Sequence, residues 1–430
     1  MHKYNPINNQ LFINNRSKFI KEIPNKSVAI FHSNDQFPKN GDLYHTWRQN
    51  SDLYYLTGID QEKSILVLFP NAPLPQYREA LFIIESNEHI AIWEGQKYTL
   101  EQARIASGIK NVFYIEHFQE ALEKIMLLAQ NVYLNLNEND RAVNEVPYRD
   151  LRFAQELKQK FPLHQYHRAN PIMAKLRTIK SQLEIDAIQE ACNITEKAFR
   201  RVLGFVKPNV FEYEIEAEII HEFISNRSNG HAYEPIIASG ANACCLHYGE
   251  NNDICKDGEL ILMDFGADYA NYASDLTRTI PVNGKYNPRQ KSVYNACLKV
   301  MREASSMLRP GITLNEFNQE VGKVMESALI DIELLDKIDV KNQDPQNPLY
   351  KKYFMHGTSH FLGLDVHDIG NRYEPIKEGM VFTCEPGIYI REEGLGVRIE
   401  NDILISTNEN VDLMSNIPIE VEAIENLMNN

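Results

Sequence analysis

The sequence predicts an α/β domain followed by an α+β domain in a chain of 430 residues. Three observations carry this expectation. Apolar runs of strand length alternate with helical patterns over roughly the first 165 residues, the pattern of a sheet with helices packed on it. The texture changes near Asn170-Pro171, where a long amphipathic helix opens behind a capping pair. Beyond it, two strand–loop–strand stretches each hold two carboxylates, with two long helices between them. The boundary is placed at roughly 165–180, giving domains of 1–170 and 171–430, each of ordinary size.

In the first domain the strand candidates are Val28–Phe31, Ile65–Phe69, Ala80–Ile84, Ile90–Trp93, Val112–Ile115 and Val132–Leu136. Each is short, apolar and bounded by polar or turn residues. Helical patterns lie between some of them, at Leu100–Ser107 before Gly108 and at Phe118–Ala129. The run TWRQNSDLYYLTG (Thr46 to Gly58) is dense in polar and aromatic groups. On chemistry alone it reads as a strand and turn with a partly buried tyrosine pair. No phosphate-cradling glycine motif occurs in this domain, which argues against a nucleotide site.

The second domain opens with a helix whose face is Leu183, Ile188, Ala191, Ala198, Phe199 and Val202. Ser181 and Glu184 match a capping box, and Pro208 ends the helix. A second helix spans about Glu212 to Ser225 and stops before Asn229-Gly230. A small-residue loop follows and holds His247, on its own an incidental loop histidine. Residues 261–282 read as two strands around a turn at Ala267–Asn271, with Asp264 and Asp275 eleven residues apart. As a hairpin they would face each other, and like charges opposite one another destabilise a sheet. Either the hairpin is absent or a cation lies between them; alone, two unrelated aspartates suffice. Asn287 caps a helix from Pro288 that ends at Pro310-Gly311, and Thr313 with Glu316 caps the next. The segment Asp339–Pro348 reads as a surface loop.

Composition narrows the function classes. Hydrophobic residues make up 43% of the chain, so it can build a core. The net charge is −15, which disfavours nucleic acid and anionic membrane as partners. No run approaches the ~20 apolar residues of a membrane span. The N-terminus lacks an apolar h-region and a cleavage site, so no signal peptide is expected. Six scattered cysteines form no C-x-x-C pair and read as reduced thiols of a cytoplasmic protein. Cys384 reads as a small buried strand residue rather than a ligand.

The chemistry concentrates between His356 and Glu400. Three histidines, His356, His360 and His367, fall within twelve residues. Glu385 and Glu400 follow, each in or beside an apolar strand-like run. Ionisable groups in such places need compensation, and imidazole with carboxylate suits divalent ions. With Asp264 and Asp275 the set becomes four carboxylates and one imidazole. One divalent ion would leave two negative charges over, whereas two balance them, and carboxylates readily bridge metals roughly 3.5–4 Å apart. The repeat of paired Asp, helices and paired Glu suggests a duplicated architecture with the metals between its halves.

HGTSHFLGLDVHD (His356 to Asp368), DFGADYANYASDLTRT, EPGIYI and GVRIEND resemble the motifs of the pita-bread metallopeptidases, in the proline-specific branch. RQNSDLYYLTG in the first domain resembles aminopeptidase P more than prolidase. The resemblance implies a pita-bread (creatinase/aminopeptidase) catalytic domain behind a creatinase-like N-terminal domain. It implies Asp264 on one metal, Asp275 and Glu400 bridging both, and His360 and Glu385 on the other. Manganese is the expected metal, since the set is rich in oxygen. Creatinase itself is disfavoured, because it lacks this full acidic set.

The implied activity is removal of the first residue from peptides with proline second, by a hydroxide bridged between two metal ions. Glu385 would relay the proton; His247 and His356 would stabilise the tetrahedral oxyanion. His367 would line the proline subsite. Tyr389 and Arg398 would orient Glu385 and Glu400 on the substrate side of the site. The compact piece before Glu385 leaves Arg372 as the arginine for substrate contact, unless it is merely a solvated loop residue. Relatives of this kind form dimers or tetramers, so a homodimer or homotetramer is expected. The rivals are an Xaa-Pro dipeptidase (prolidase) and a non-catalytic pita-bread binding module, which would typically lose ligands.

Overall fold

Six short strands build one mixed sheet from segments spread across the first 168 residues. They belong to a computed structural model that describes residues 3–139, 141–142 and 145–430. Two compact units emerge. One is Pro6–Arg177; the other runs from Thr178 to Asn430 and takes in the described residues up to Asn5.

In the first unit the sheet order is Asn111–Tyr114, Glu79–Ile83, Ile65–Leu68, Ser27–His32, Asn131–Leu134, Gln165–Arg168. Ser27–His32 is central and wholly buried; it pairs antiparallel with Ile65–Leu68 and parallel with Asn131–Leu134. Helices Phe118–Met126 and Arg149–Lys160 pack on it through Phe118, Leu122, Ile125, Phe153 and Leu157. Two readings change. Ile90–Trp93 is not a strand but part of helix Glu88–Trp93, because Asn87 accepts the Ile90 N–H as an N-cap and no sheet edge is there to bury the run. TWRQNSDLYYLTG is likewise helical over Ser51–Thr57. Asn50 accepts from the N–H groups of Asp52 and Leu53, and Gly58 stops the helix in the left-handed region at φ 65°. Its tyrosines, Tyr54 and Tyr55, are fully rather than partly buried. The polar edge strand Gln165–Arg168 has no apolar signal and escapes a reading by hydrophobicity.

The second unit repeats one plan. Helices Gln182–Phe205 and Glu212–Ser225 precede the strands between Ile236 and Pro281; helices Pro288–Met307 and Leu314–Asp331 precede those between Val381 and Asp412. The capping boxes at Ser181, Asn287 and Thr313 all form. Asp336 caps a short helix, Lys337–Asn342, which runs into the stretch Asp339–Pro348 read as loop. The two halves touch at an isolated bridge between Thr277 and Glu400.

The aspartate hairpin exists, with Leu276–Pro281 antiparallel to Leu260–Phe265. Asp264 lies opposite Thr277, so Asp275 is its diagonal rather than its direct neighbour. A small inner hairpin, Ala267–Tyr269 with Tyr272–Ala273, fills the turn. At its base the backbone crosses itself: a Cβ on Gly266 would lie 1.7 Å from the Ser274 carbonyl oxygen. Only glycine permits that approach, and the approach is what brings the two aspartates together. Gly266→Ala is therefore expected to destabilise the protein by at least about 1–3 kcal/mol, the range for overpacking, as measured by urea denaturation; an unchanged midpoint would contradict it.

Candidate metal centre

The five ionisable groups meet within the second unit. Asp275, His360 and Glu400 each offer a ligand atom, all within 4.8 Å of one another, from three separate segments. Asp264 joins through Tyr233, whose Oη lies 2.6 Å from Asp264 Oδ1 and 2.5 Å from Asp275 Oδ1. One phenol proton cannot serve both oxygens. Glu385 joins from the other side, its Oε1 3.7 Å from His360 Nε2.

His360 is held in one tautomer. Its Nδ1 lies 3.0 Å from the Phe361 carbonyl and so carries the proton. Its backbone N–H donates to Thr383 Oγ1 at 3.2 Å, and its carbonyl accepts from the Thr383 N–H at 3.0 Å. That turns Nε2 toward Asp275 Oδ2 at 3.4 Å and Glu385 Oε1 at 3.7 Å. An imidazole fixed by a carbonyl at one nitrogen and aimed at carboxylates with the other is the arrangement of a metal-ligating histidine. Glu400 repeats the demand: Oε2 accepts from Thr277 Oγ1 at 2.6 Å, while the buried Oε1 has no hydrogen-bond partner among the described residues.

The carboxyl groups carry the same signature. Burial, then the neighbouring Asp264, pushes Asp275 well above the usual carboxylate range. Burial, then Asp275 and Glu385, does the same to Glu400. Burial raises Glu385 to about 7 against the lowering pull of His360 and Arg398. The donor set, the orphaned oxygen and the inward imidazole all fit divalent ions.

Arg398 provides the fixed positive charge. It is buried, and its Nη2 donates to Asp264 Oδ2 at 2.6 Å, Nη1 to Tyr389 Oη at 2.9 Å and Nε to Thr277 Oγ1 at 3.2 Å. Tyr389 Oη lies 2.8 Å from His356 Nε2, while His356 Nδ1 lies 2.7 Å from the Gly357 carbonyl. His356 is thus a neutral acceptor from the phenol, and burial followed by the Arg398 charge lowers its pKa to about 4. Where the sequence reading assigns Tyr389 and Arg398 to Glu385 and Glu400, the bonds seen run to His356 and Asp264, with Thr277 as the link to Glu400.

The remaining candidates are placed as follows. His367 is half-buried, its ring 4.4 Å from that of His360 and edge-on to it. His356 Nδ1 is 4.0 Å from Glu385 Oε2. His247 is exposed on its loop, and its charge is among the weaker influences on His356. Arg372 is exposed on the turn after Gly370. Cys384 turns its thiol to the Met301 carbonyl, away from ligand duty. Two participants escape the sequence reading. Tyr233 lies 31 residues before Asp264 with no motif to mark it. Thr277 has a signal: it stands two residues after Asp275, on the same face of an extended chain.

A pair of buried, carboxylate-rich strand units with an inward imidazole defines a divalent-metal hydrolase of the pita-bread kind. The metallopeptidase family M24 matches residues 186–407, and the aminopeptidase P N-terminal domain matches residues 12–133. A Xaa-Pro aminopeptidase of Haemophilus influenzae is 34% identical over 423 residues, covering 96% of this chain and 95% of that one. Xaa-Pro aminopeptidase 3 of Homo sapiens is 30% identical, covering 93% of this chain and 80% of that one. Aminopeptidase P from Escherichia coli with the inhibitor Pro-Leu has a TM-score of 0.87 at 31% identity, over 99% of each chain. The chain belongs to metallopeptidase family M24, in its aminopeptidase P group.

The raised carboxyl groups make metal binding a pH-linked event. A folded pKa above the unfolded value, about 4, means the metal-free fold holds extra protons and loses stability as pH rises through that window. For Glu385 the window runs up to about 7. Divalent ions replace those protons. The gain in Tm from saturating manganese should therefore be larger at pH 8 than at pH 6. An equal gain at both would contradict the assignment.

Proposed function

We propose that this chain is a metal-dependent Xaa-Pro aminopeptidase, removing the first residue of peptides with proline second. The observation that carries this reading is His360 Nε2 directed at Asp275 and Glu385 beside the Glu400 oxygen that has no partner among the described residues. Two divalent ions suit the four carboxylates on charge. Asp264 would hold one, Asp275 and Glu400 both, and His360 and Glu385 the other. Manganese is the proposed ion, because four of the five donor residues are carboxylates. Bound there, such ions acidify water and polarise the scissile carbonyl.

The chain's own residues do the rest. Glu385 is the proton carrier, with Oε1 toward His360 and Oε2 toward His356. His356 lies beside the same carboxyl and is oriented by Tyr389; its Nδ1 proton, held on the Gly357 carbonyl, is the one it would turn to developing negative charge. His247 offers a second donor from the exposed loop. His367 stands beside the ligand His360 and serves the proline side. Proline matters chemically because its imide nitrogen carries no N–H, so a site that grips that hydrogen fails on it. Arg398 holds Asp264 in place. Arg372 contacts substrate only from the rim.

A homodimer or homotetramer is proposed on the resemblance to its relatives. Six free cysteines support a reducing, cytoplasmic setting. The net charge of −15 counts against nucleic acid as a partner. Among the described residues no helix is long and apolar enough to cross a membrane. Retention of all five ligand positions counts against a non-catalytic module.

The deciding experiment is a substrate-length series with added manganese: Gly-Pro, an Ala-Pro tripeptide and a longer Xaa-Pro peptide. Hydrolysis of the tripeptide and longer peptide is the expected result. Activity confined to Gly-Pro would make the enzyme a dipeptidase, and none on any would overturn the reading.

A further inference from the structure

Glu212 is a fully buried carboxylate that the mechanism above does not use. It is the first residue of helix Glu212–Ser225, an end of the helix that favours an anion. Among the described residues no cation lies within ion-pair distance of it. Hydrogen bonds compensate it instead. One oxygen accepts from the Ser239 N–H and Oγ, both at 2.7 Å, and from Asn242 Nδ2 at 3.4 Å. The other accepts from Tyr248 Oη at 2.8 Å and the Asp253 N–H at 2.9 Å.

Those donors share a location. Ser239 and Asn242 precede His247 in the chain, and Tyr248 and Asp253 follow it. One carboxylate therefore ties down both feet of the loop that bears His247. Glu216, one turn along, adds a bond from Asn251 Nδ2 at 2.9 Å. The Glu212 N–H donates to the Asp253 carbonyl at 3.0 Å, and Phe211 bridges to Ile254. The crown of the loop stays outside: Cys245, His247, Gly249 and Glu250 are exposed, while the ring of Tyr248 is buried. That ring packs with Ile236, Ala238, Ala243, Leu262 and Tyr389. Tyr389 in turn holds His356. The residue next to His247 is thus clamped to the wall that carries His356.

We propose that Glu212, acting through the Tyr248 hydroxyl, is a positioning residue that sets where His247 stands relative to His356 and the substrate. The inference rests on the reading of His247 as a substrate-facing donor. A donor on an exposed loop is useful only if its backbone is held within about half an ångström, and the bonds to Glu212 fix the loop on both sides of His247. Burial, then the bond to Glu212, raises the Tyr248 phenol to about 12, so it remains a donor at working pH.

The test is a double-mutant cycle on the manganese-loaded, full-length enzyme, with kcat and KM measured on an Ala-Pro tripeptide. Tyr248→Phe keeps the ring and removes the hydroxyl. It should lower kcat/KM about tenfold with His247 present, and less than about twofold in the His247→Ala background, with bound metal unchanged in both. Glu212→Gln should behave alike. Equal losses with and without His247 would make the clamp merely structural and overturn the proposal. The imidazole resonance of His247, identified by its loss in His247→Ala and recorded on the full-length enzyme loaded with diamagnetic Zn2+ in place of manganese, gives a readout independent of turnover. It should be sharp in the parent and broadened or shifted in Tyr248→Phe; an unchanged line overturns the proposal. A parent that cleaves no Xaa-Pro peptide sinks the activity, and the resonance still decides the clamp.

Discussion

The second unit is arranged around one electrostatic constraint: buried carboxylates that cannot compensate one another. Asp264, Asp275 and Glu400 are buried, and the half-buried Glu385 joins them beside His360. Leaving such charges unpaired would cost several kcal/mol each. Arg398 offsets one of them through Asp264. The others are left to a single phenol, a single imidazole and a threonine hydroxyl. A site so short of positive charge holds extra protons when empty and favours divalent cations in their place.

Much of the surrounding structure keeps the donors from relaxing away from each other. Gly266 permits the backbone crossing that joins the two aspartates. Arg278, fully buried, donates to the carbonyls of Thr277, Glu400 and Pro418 and to Asn401 Oδ1. It therefore ties the Asp275 strand to the segment holding Glu400. Asp402 Oδ2 accepts the Asp275 N–H at 3.1 Å, opposite Thr383, whose hydroxyl accepts from His360. Lys180 and Asp368, both buried and 3.1 Å apart, sit beneath the loop from His360 to His367. Gly363 leaves room for that pair, and its carbonyl accepts the Ala273 N–H at 2.8 Å. Function and folding draw on the same bonds here, as expected where a preorganised site must resist collapse.

The legible parts of the sequence were those where local chemistry decides the outcome. Capping boxes at Ser181, Asn287 and Thr313 mark helix starts because a side chain three residues on answers the cap. The five ligand candidates could be read because a charge inside an apolar run has few explanations. Ile90–Trp93 misled because a short apolar run does not distinguish strand from helix; only the Asn87 cap does. Ser51–Thr57 is hidden because every residue after Ser51 is buried, leaving no amphipathic period to read. Tyr233 and Glu212 were beyond reach for a different reason. Their roles depend on partners brought close only by the fold, and nothing local records that.

The central claim is that two divalent ions balance the four carboxylates. It is tested most directly by anomalous diffraction at the manganese edge from crystals grown with manganese. The account predicts two peaks roughly 3.5–4 Å apart, both within ligand distance of Asp275 and Glu400, one beside Asp264 and the other beside His360 and Glu385. A single peak, or density outside the carboxylate set, would contradict it.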